Sequence, residues 1–330
     1  MSKVDSSAVA VAVTRIVPEG RWGWRRGRVL ASLAVAVAGL LVFHSAVPDM
    51  AGRPGSLLET FLPWLGLTVP VLLVLAMVRR SAVALLALLL PVAAWVSGFG
   101  GLLLPAEDSA YDLTVVQHNV SDENADPAGT ARALMKASPG LIALEELTAG
   151  AVAVYSATLA PEYPHHRVVG TVGLWSKYPL DGARPVDIRP DGIVGAWKRG
   201  LRAEVRVPGE KAAVAVYVTH LPSVRLGVGA GFSSGWRDES AVLLGSAIAA
   251  EPLDRVILLG DLNSTVDDRG LDPVGAHMNT AGPGFAFSWP ASFPVARIDQ
   301  VMTRKATVTE VWSLPATGSD HLPIAARIGW

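Results

Sequence analysis

Three long apolar runs open the chain, and shorter apolar stretches separated by polar segments follow them. Val29 to Val47 carries no charge and has His44 near its far end; Leu57 to Val78 carries one acid, Glu59, with Pro63 and Pro70 expected to kink it. Ala82 to Leu104 is again uncharged, with Pro91 in its middle. Each run approaches the ~20 residues needed to cross a bilayer. A cleaved signal peptide is the alternative for the first and buried soluble helices for the others. A signal core is shorter than this first run, and soluble core helices rarely come as three successive apolar stretches. The pattern therefore predicts three transmembrane helices over 29–104, after an N-terminal segment 1–28 and before a linker 105–111. Beyond it, Leu113–Gln117, Leu141–Leu144, Val172–Trp175, Ala213–Thr219, Val256–Leu259 and Ile298–Met302 read as strands. L-P-I-A-A-R-I at the C-terminal end reads as another. Pro127–Ala137 and Arg237–Ala250 read as helices, the first opened by Asp126 as N-cap and Pro127 at N1. The mixture predicts a layered α/β sandwich over 112–330. Gly227 to Gly235 reads as a mobile loop, and His165-His166, lacking acidic neighbours at ligand spacing, as a loop rather than a metal site.

Composition sharpens the division. The chain of 330 residues is 51% hydrophobic with a mean hydropathy of +0.38, an excess concentrated before residue 105. There is no cysteine, which excludes disulfides, zinc-thiolate sites and a thiol nucleophile. Residues 1–28 carry six basic residues (Lys3, Arg15, Arg21, Arg25, Arg26, Arg28) against Asp5 and Glu19. Residues 106–330 have 19 basic against 25 acidic, a net of −6, and no long Lys/Arg run. That balance speaks against a protein gripping many phosphates of a duplex, although folding can still assemble a local basic groove. The basic residues before the first run, and Arg79-Arg80 between the second and third, place the N-terminus and that turn in the cytoplasm. The domain after Leu104 is then extracellular, with the chain a multi-pass protein of the cell membrane. Trp22, Trp24 and Trp64 are candidate interface anchors.

The chemistry-bearing residues recur at strand ends. The run from Ile257 ends in Gly260-Asp261-Leu262-Asn263, where a carboxylate can activate water or hold an ion and an amide can donate to a phosphoryl oxygen. Gly-Asp and Asn-Ser are also ordinary turn chemistry, so this segment alone is weak. Asn119 follows L-T-V-V-Q, Glu145 and Glu146 follow L-I-A-L, and His220 follows V-A-V-Y-V-T. Asp299 lies in R-I-D-Q-V-M, and Ser319-Asp320-His321 precedes the last strand. Strand ends on one side of an α/β sheet are where sites form.

In order and spacing these segments resemble the endonuclease/exonuclease/phosphatase superfamily over roughly 112–328. The matching pieces are Q-H-N-V, L-E-E-L, G-L-W-S-K-Y-P-L, V-T-H-L, G-D-L-N, R-I-D-Q-V and S-D-H-L-P. The resemblance implies a deoxyribonuclease-I-like four-layer α/β sandwich, two packed mixed sheets flanked by helices. It also implies that Glu146, with Asn119 and Asp320, holds Mg²⁺ (or Mn²⁺). Asp261 positions or deprotonates the attacking water, and Asn263 and His220 donate to phosphoryl oxygens. His321 is an in-line base or a cationic stabiliser whose tautomer Asp299 fixes. The family usually has Gln where Glu145 stands, which leaves the choice between Glu145 and Glu146 open; alternation along the strand end puts the two on opposite faces and favours Glu146, with Glu145 solvated or paired. Asn124, Arg167, Ser176 and Arg237 are further candidates for shaping the site.

A looser resemblance is to membrane-anchored actinobacterial members linked to teicoplanin resistance. It implies a phosphorylated lipid substrate at the outer leaflet, such as undecaprenyl diphosphate or another cell-wall intermediate. The alternative is an extracytoplasmic nuclease or other phosphodiesterase, with nucleic acid as the less favoured partner and a basic groove flanking the site as its expected sign. A catalytically silent receptor or assembly factor is the reading from outside enzymology, disfavoured because every expected ligand and proton carrier is present.

Overall fold

A computed structural model describes residues 27–104, 110–209, 212–229, 231–280 and 282–330. Most of the N-terminal segment 1–28, with Trp22 and Trp24, and most of the linker 105–111 lie outside the described residues.

The N-terminal region comprises α1 (Arg28–Val42), α2 (Pro54–Thr60), α3 (Thr68–Val78), α4 (Ala82–Ala87) and α5 (Leu89–Phe99). Here the three-span expectation is only partly met. One rod, Ala82–Leu103, is long and apolar enough to cross a membrane. The second run is broken: Pro54–Thr60 meets Leu62–Val78 at a bend of 72°. The break falls beside Pro63, which sits at the start of a 3-10 turn, Leu62–Leu67, whereas Pro70 fits the first turn of α3 without interrupting it. The α1 helix has 15 residues, about 22 Å, less than the hydrocarbon thickness. Ala34, Leu72, Ala76, Ala84 and Leu88 pack the helices together at one end, and Leu41, Leu62 and Phe99 at the other.

The C-terminal region comprises β1 (Leu113–Asn119), α6 (Pro127–Met135), β2 (Leu141–Glu145), α7 (Ala149–Leu159), β3 (His165–Val169), β4 (Val172–Ser176), β5 (Leu180–Pro185) and β6 (Gly200–Val205). It continues with β7 (Val214–His220), β8 (Arg225–Gly227), β9 (Gly231–Ser233), α8 (Gly235–Ala249) and β10 (Val256–Asp261). The last elements are α9 (Asp272–Gly275), β11 (Asp299–Arg304), β12 (Thr307–Ser313) and β13 (Ile324–Gly329). One sheet has the order β12-β13-β1-β2-β4-β3, the other β11-β10-β7-β6-β5. Each is mixed: β1 runs parallel to β2, and β7 to β10, with antiparallel neighbours around them.

Alternation builds the layers. Val115, Leu141, Ala143 and Leu174 from one sheet meet Leu201, Val216, Val218, Ile257 and Leu259 from the other in a fully buried core. On the outer face of the first sheet, Val116, Ile142 and Trp175 pack against Ala131 and Leu134 of α6 and Tyr155 and Leu159 of α7. Across the second, Tyr217 and Leu258 pack against Leu244 and Ile248 of α8 and Val274 of α9. The expected α/β sandwich of two mixed sheets is thus present. Two loop readings are corrected. His165 and His166 lie in β3, where His166 stacks on Trp175 at 5.8 Å. The Gly-rich stretch contributes to the two-stranded ribbon β8-β9, whose Phe232 N–H donates to the Gly52 carbonyl at 2.9 Å.

Candidate active site

Two parallel strand pairs, one in each sheet, end side by side. Asn119 lies opposite Glu145 in one sheet, and Asp261 lies opposite His220 in the other, with Asp299 across from Asp261 on the antiparallel β11. Gly260 makes the second pairing possible. A Cβ there would stand 1.9 Å from the Thr219 carbonyl oxygen, so any side chain would push Asp261 away from His220. Its φ of +155° also suits glycine. Two cavity groups leave their strand through a left-handed residue, Glu146 at φ +58° and Asn263 at +48°.

Asp261 is the hub. Its Oδ1 accepts the Asn263 backbone N–H at 2.9 Å and its Oδ2 accepts Asn119 Nδ2 at 3.0 Å. The same Oδ2 lies 3.6 Å from His220 Nε2 and 3.8 Å from His321 Nε2. His321 Nδ1 bonds Asp299 Oδ2 at 2.7 Å, and Gln117 Nε2 bridges Asp299 Oδ1 (2.8 Å) and Glu145 Oε2 (3.2 Å). The result is a buried chain of polar groups running from Glu145 to His321. Asn119, Glu146, Asp261, Asn263, Asp320 and His321 line one cavity of about 360 Å³, and His220 and Asp299 stand immediately behind it. All eight sequence-predicted site residues converge.

The environments drive the two imidazoles apart. Burial, then the Arg199 guanidinium and the His321 charge, hold His220 well below the usual imidazole range. Arg199 Nη1 faces His220 Nδ1 at 3.4 Å, which leaves the proton on Nε2; that buried atom makes no hydrogen bond among the described residues, with carboxylate oxygens of Asp261 and Glu146 at 3.6 and 3.7 Å. His321 experiences the reverse. Burial opposes its charge, but the Asp299 and Asp261 carboxylates outweigh burial and raise it to about 10. Burial pushes the Asp261 carboxyl up as well, against the pull of His321. Titratable groups forced apart by their surroundings mark acid–base assignments.

Sequence reasoning missed part of this arrangement. Glu145, expected to be solvated or paired, is fully buried and paired with Gln117. Burial, then the Asp299 and Asp261 carboxylates, push it well above the usual carboxylate range. It faces between the sheets, in phase with Leu141 and Ala143, and the left-handed turn at Glu146 is what returns its neighbour to the cavity. Gln117 lies in the same Q-H-N-V segment as Asn119, with nothing in its residue type to mark it as part of the site. Arg199 precedes β6, a strand that the sequence pattern did not mark. Among the further candidates, Arg237 is buried, pairs with Asp268 and donates to the Asn263 carbonyl, bracing the site from behind. Asn124 bonds Thr130, Ser176 caps the far end of β4 opposite Leu141, and Arg167 lies exposed on β3; none of these three lines the cavity.

A hard divalent cation fits the donor set. Glu146, Asp261 and Asp320 bring carboxylates and Asn119 an amide to a cavity whose lining, among the described residues, holds no lysine or arginine. Asp261, Asp299 and His321 also offer donor atoms within 4.8 Å of one another. In that trio, however, His321 Nδ1 is already engaged by Asp299, so the pair is arranged for proton handling rather than ligation.

Comparison with known proteins agrees with this geometry. The family model described as "Endonuclease/Exonuclease/phosphatase family" matches residues 105–321. No match was found among curated proteins. Beta toxin from Staphylococcus aureus with bound magnesium ions is 19% identical, with a TM-score of 0.51, covering 66% of this chain and 99% of its own. TDP2 from D. rerio complexed with a single-strand DNA product is 18% identical at a TM-score of 0.54, with the same coverages. An endonuclease/exonuclease/phosphatase from Bacteroides vulgatus is 17% identical at 0.54, again covering 66% and 99%. Fold, ordered strand-end residues and family match agree: the chain belongs to the endonuclease/exonuclease/phosphatase family and is a metal-dependent hydrolase of phosphoric esters or anhydrides.

Proposed function

We propose that this protein is a membrane-anchored phosphohydrolase acting on a phosphorylated lipid at the outer leaflet, with Mg²⁺ (or Mn²⁺) as its ion. One observation carries the reading: the N-terminal helices wall the catalytic cavity. Leu57, Thr60 and Phe61 of the broken second run line the same space as Glu146, Asp261 and His321. Leu226, Phe232, Trp289 and Ile298 complete an apolar rim around the polar floor. A head group reaching Asp261 therefore passes hydrocarbon-like side chains. The surface of the helices supports the anchor, with Val71, Val74, Val78, Leu89 and Val96 more than half exposed, an apolar display ill suited to water. A nuclease would be expected to flank the site with a basic groove; among the described residues the cavity lining holds no lysine or arginine, and Arg199 stands behind it against His220.

The residues divide the work. Glu146, Asn119 and Asp320 would hold the cation, which when bound supplies charge neutralisation at the phosphoryl oxygens. Asp261 orients the attacking water, while the Nε2–H of neutral His220 and the Asn263 amide donate to the phosphoryl group as negative charge builds. His321, kept protonated by Asp299 and Asp261, provides a cation beside that charge. Polyprenyl diphosphates such as undecaprenyl diphosphate are the first candidate substrates. Action on a cell-wall lipid intermediate would account for a role in teicoplanin resistance.

The test compares the purified full-length protein with Asp261→Asn and His321→Ala on undecaprenyl diphosphate and on plasmid DNA, with Mg²⁺ and with EDTA. Phosphate should be released from the lipid alone, and each variant should lose roughly 10²–10⁴ of the rate. Near-normal turnover in both variants, or cleavage of DNA alone, would overturn the proposal.

A further inference from the structure

A second cavity, of about 400 Å³, lies where the N-terminal helices meet the catalytic region, and its lining is almost wholly apolar. Trp64, Trp95, Phe285 and Phe287 form a continuous aromatic wall. Trp64 stacks on Phe287 at 5.5 Å, Phe287 meets Phe285 at 5.2 Å, and Phe285 meets Trp95 at 6.5 Å. Both indole N–H groups are already committed to backbone carbonyls, Trp64 Nε1 to Val295 and Trp95 Nε1 to Pro63, each at 2.7 Å. Nothing in that wall is left to recognise a polar ligand. Val92 and Val96 of α5 close another side and are themselves exposed, so the cavity borders the surface assigned to the bilayer.

Its position relative to the catalytic cavity is the second observation. Two separate chain segments contribute to both. Phe61 lines the catalytic cavity and Pro63 the apolar one, with buried Leu62 between them. Trp289 lines the catalytic cavity and Phe287 the apolar one, with buried Ser288 between them. The partition is one residue thick along each segment. We infer that the apolar cavity receives the hydrocarbon chain of the lipid whose phosphate is held at Asp261 and Glu146. This inference rests on the lipid phosphohydrolase reading and adds to it where the tail lies. A cavity of this volume falls within the range of small-molecule pockets, roughly 300–1,000 Å³, enough for the chain segment nearest the head group.

The test uses the full-length protein in phosphatidylcholine vesicles with Mg²⁺. The probes are trace hexadecyl phosphate with a diazirine in the alkyl chain near the head group, and the matching hexadecanol without phosphate. After photolysis, labelled residues are mapped by mass spectrometry. Labelling at Trp64, Trp95, Phe285 or Phe287 should be about tenfold greater from the phosphate than from the alcohol. It should fall to the alcohol's level when excess unlabelled hexadecyl phosphate is added. Filling the space with Val92→Trp should abolish this labelling without preventing hydrolysis of butyl phosphate. Equal labelling of the cavity residues by phosphate and alcohol, or phosphate-selective labels found only outside the cavity, would overturn the inference, and the wild-type comparison decides this even if the variant does not fold. Phosphate release from hexadecyl phosphate with labels outside the cavity would defeat the tail site alone. Selective labelling of the cavity without release from any phosphorylated lipid would defeat the hydrolase reading.

Discussion

His220, at the end of β7, and His321, in the segment before β13, approach one carboxylate oxygen of Asp261, and their proton affinities diverge because burial and Arg199 act against a charge on His220 while the Asp299 carboxylate bonded to Nδ1 favours one on His321. The residue types were legible because their chemistry is scarce: an amide, acids and imidazoles stood at the ends of apolar strands. Their electrostatic states were not, since neither Arg199 nor Gln117 was placed near them by any sequence pattern. The Glu145–Glu146 pair shows the same limit. Alternation describes a regular strand, and here the backbone turns left-handed at Glu146. The His321 environment has a consequence for stability. Its affinity for protons is raised on folding, so the folded state holds the proton between about 6.5, the unfolded value, and about 10. The stabilisation is therefore complete below about pH 6.5 and disappears as pH rises toward 10. In EDTA, wild type should lose roughly 4–5 kcal/mol across that range relative to His321→Gln, followed by thermal unfolding. Parallel pH profiles for the two proteins would show that His321 carries no such charge.

At the scale of elements, strands buried on both faces announced themselves as apolar runs: β1, β2, β4, β7, β10 and β11 were each anticipated to within a few residues. Those missed have weaker patterns. β5 carries Gly and Pro, β6 is buried but carries Arg202 and Glu204 among its apolar positions, β3 and β12 are edge strands with polar positions, and the Ala/Val-rich α7 has no polar face for a helical period to mark. The broken second run was legible as a kink but not in its purpose. Glu59, expected as a lone acid near the start of a span, is instead fully buried where α2 meets the catalytic region. Arg269 grips it through Nη2 at 2.7 Å and Nε at 2.9 Å, while His44 Nδ1 lies 2.9 Å from the same carboxylate. Arg269 also donates to the carbonyls of His44 and Val47, so one side chain ties the α1–α2 connection to the loop after β10. Removing it strands a buried carboxylate, a change that typically costs about 3–5 kcal/mol. Arg269→Met should accordingly lower the unfolding temperature sharply, and adding Glu59→Gln should restore much of the loss because the uncompensated charge is gone. If the single change is silent, the ion pair is not what docks α2 against the site.

For the whole molecule, the helices have two unlike ends. Gly27, next to Arg28, lies so close to Ser81 that a Cβ there would approach the Ser81 hydroxyl to 2.4 Å, and the exposed Arg79-Arg80 turn immediately precedes Ser81. Arg28, Arg79 and Arg80 are therefore gathered at one end. At the opposite end Phe285 packs into the cluster of Leu41, Leu62 and Phe99, and the catalytic region begins there. Basic residues clustered at the end away from the catalytic region are what the proposed orientation requires, since Lys and Arg beside a span favour the cytoplasm. Protease added to intact cells or protoplasts should then digest the catalytic region while a tag at residue 1 survives until lysis. Replacing Arg79 and Arg80 with Asn removes two of the charges on which the orientation depends, and should leave a measurable fraction of catalytic regions protected. Cleavage of the wild-type catalytic region only after lysis would reverse the orientation. It would also remove the outer-leaflet lipid from consideration, because the cavity walled by α2 would then face the cytoplasmic leaflet and its phosphorylated lipids instead.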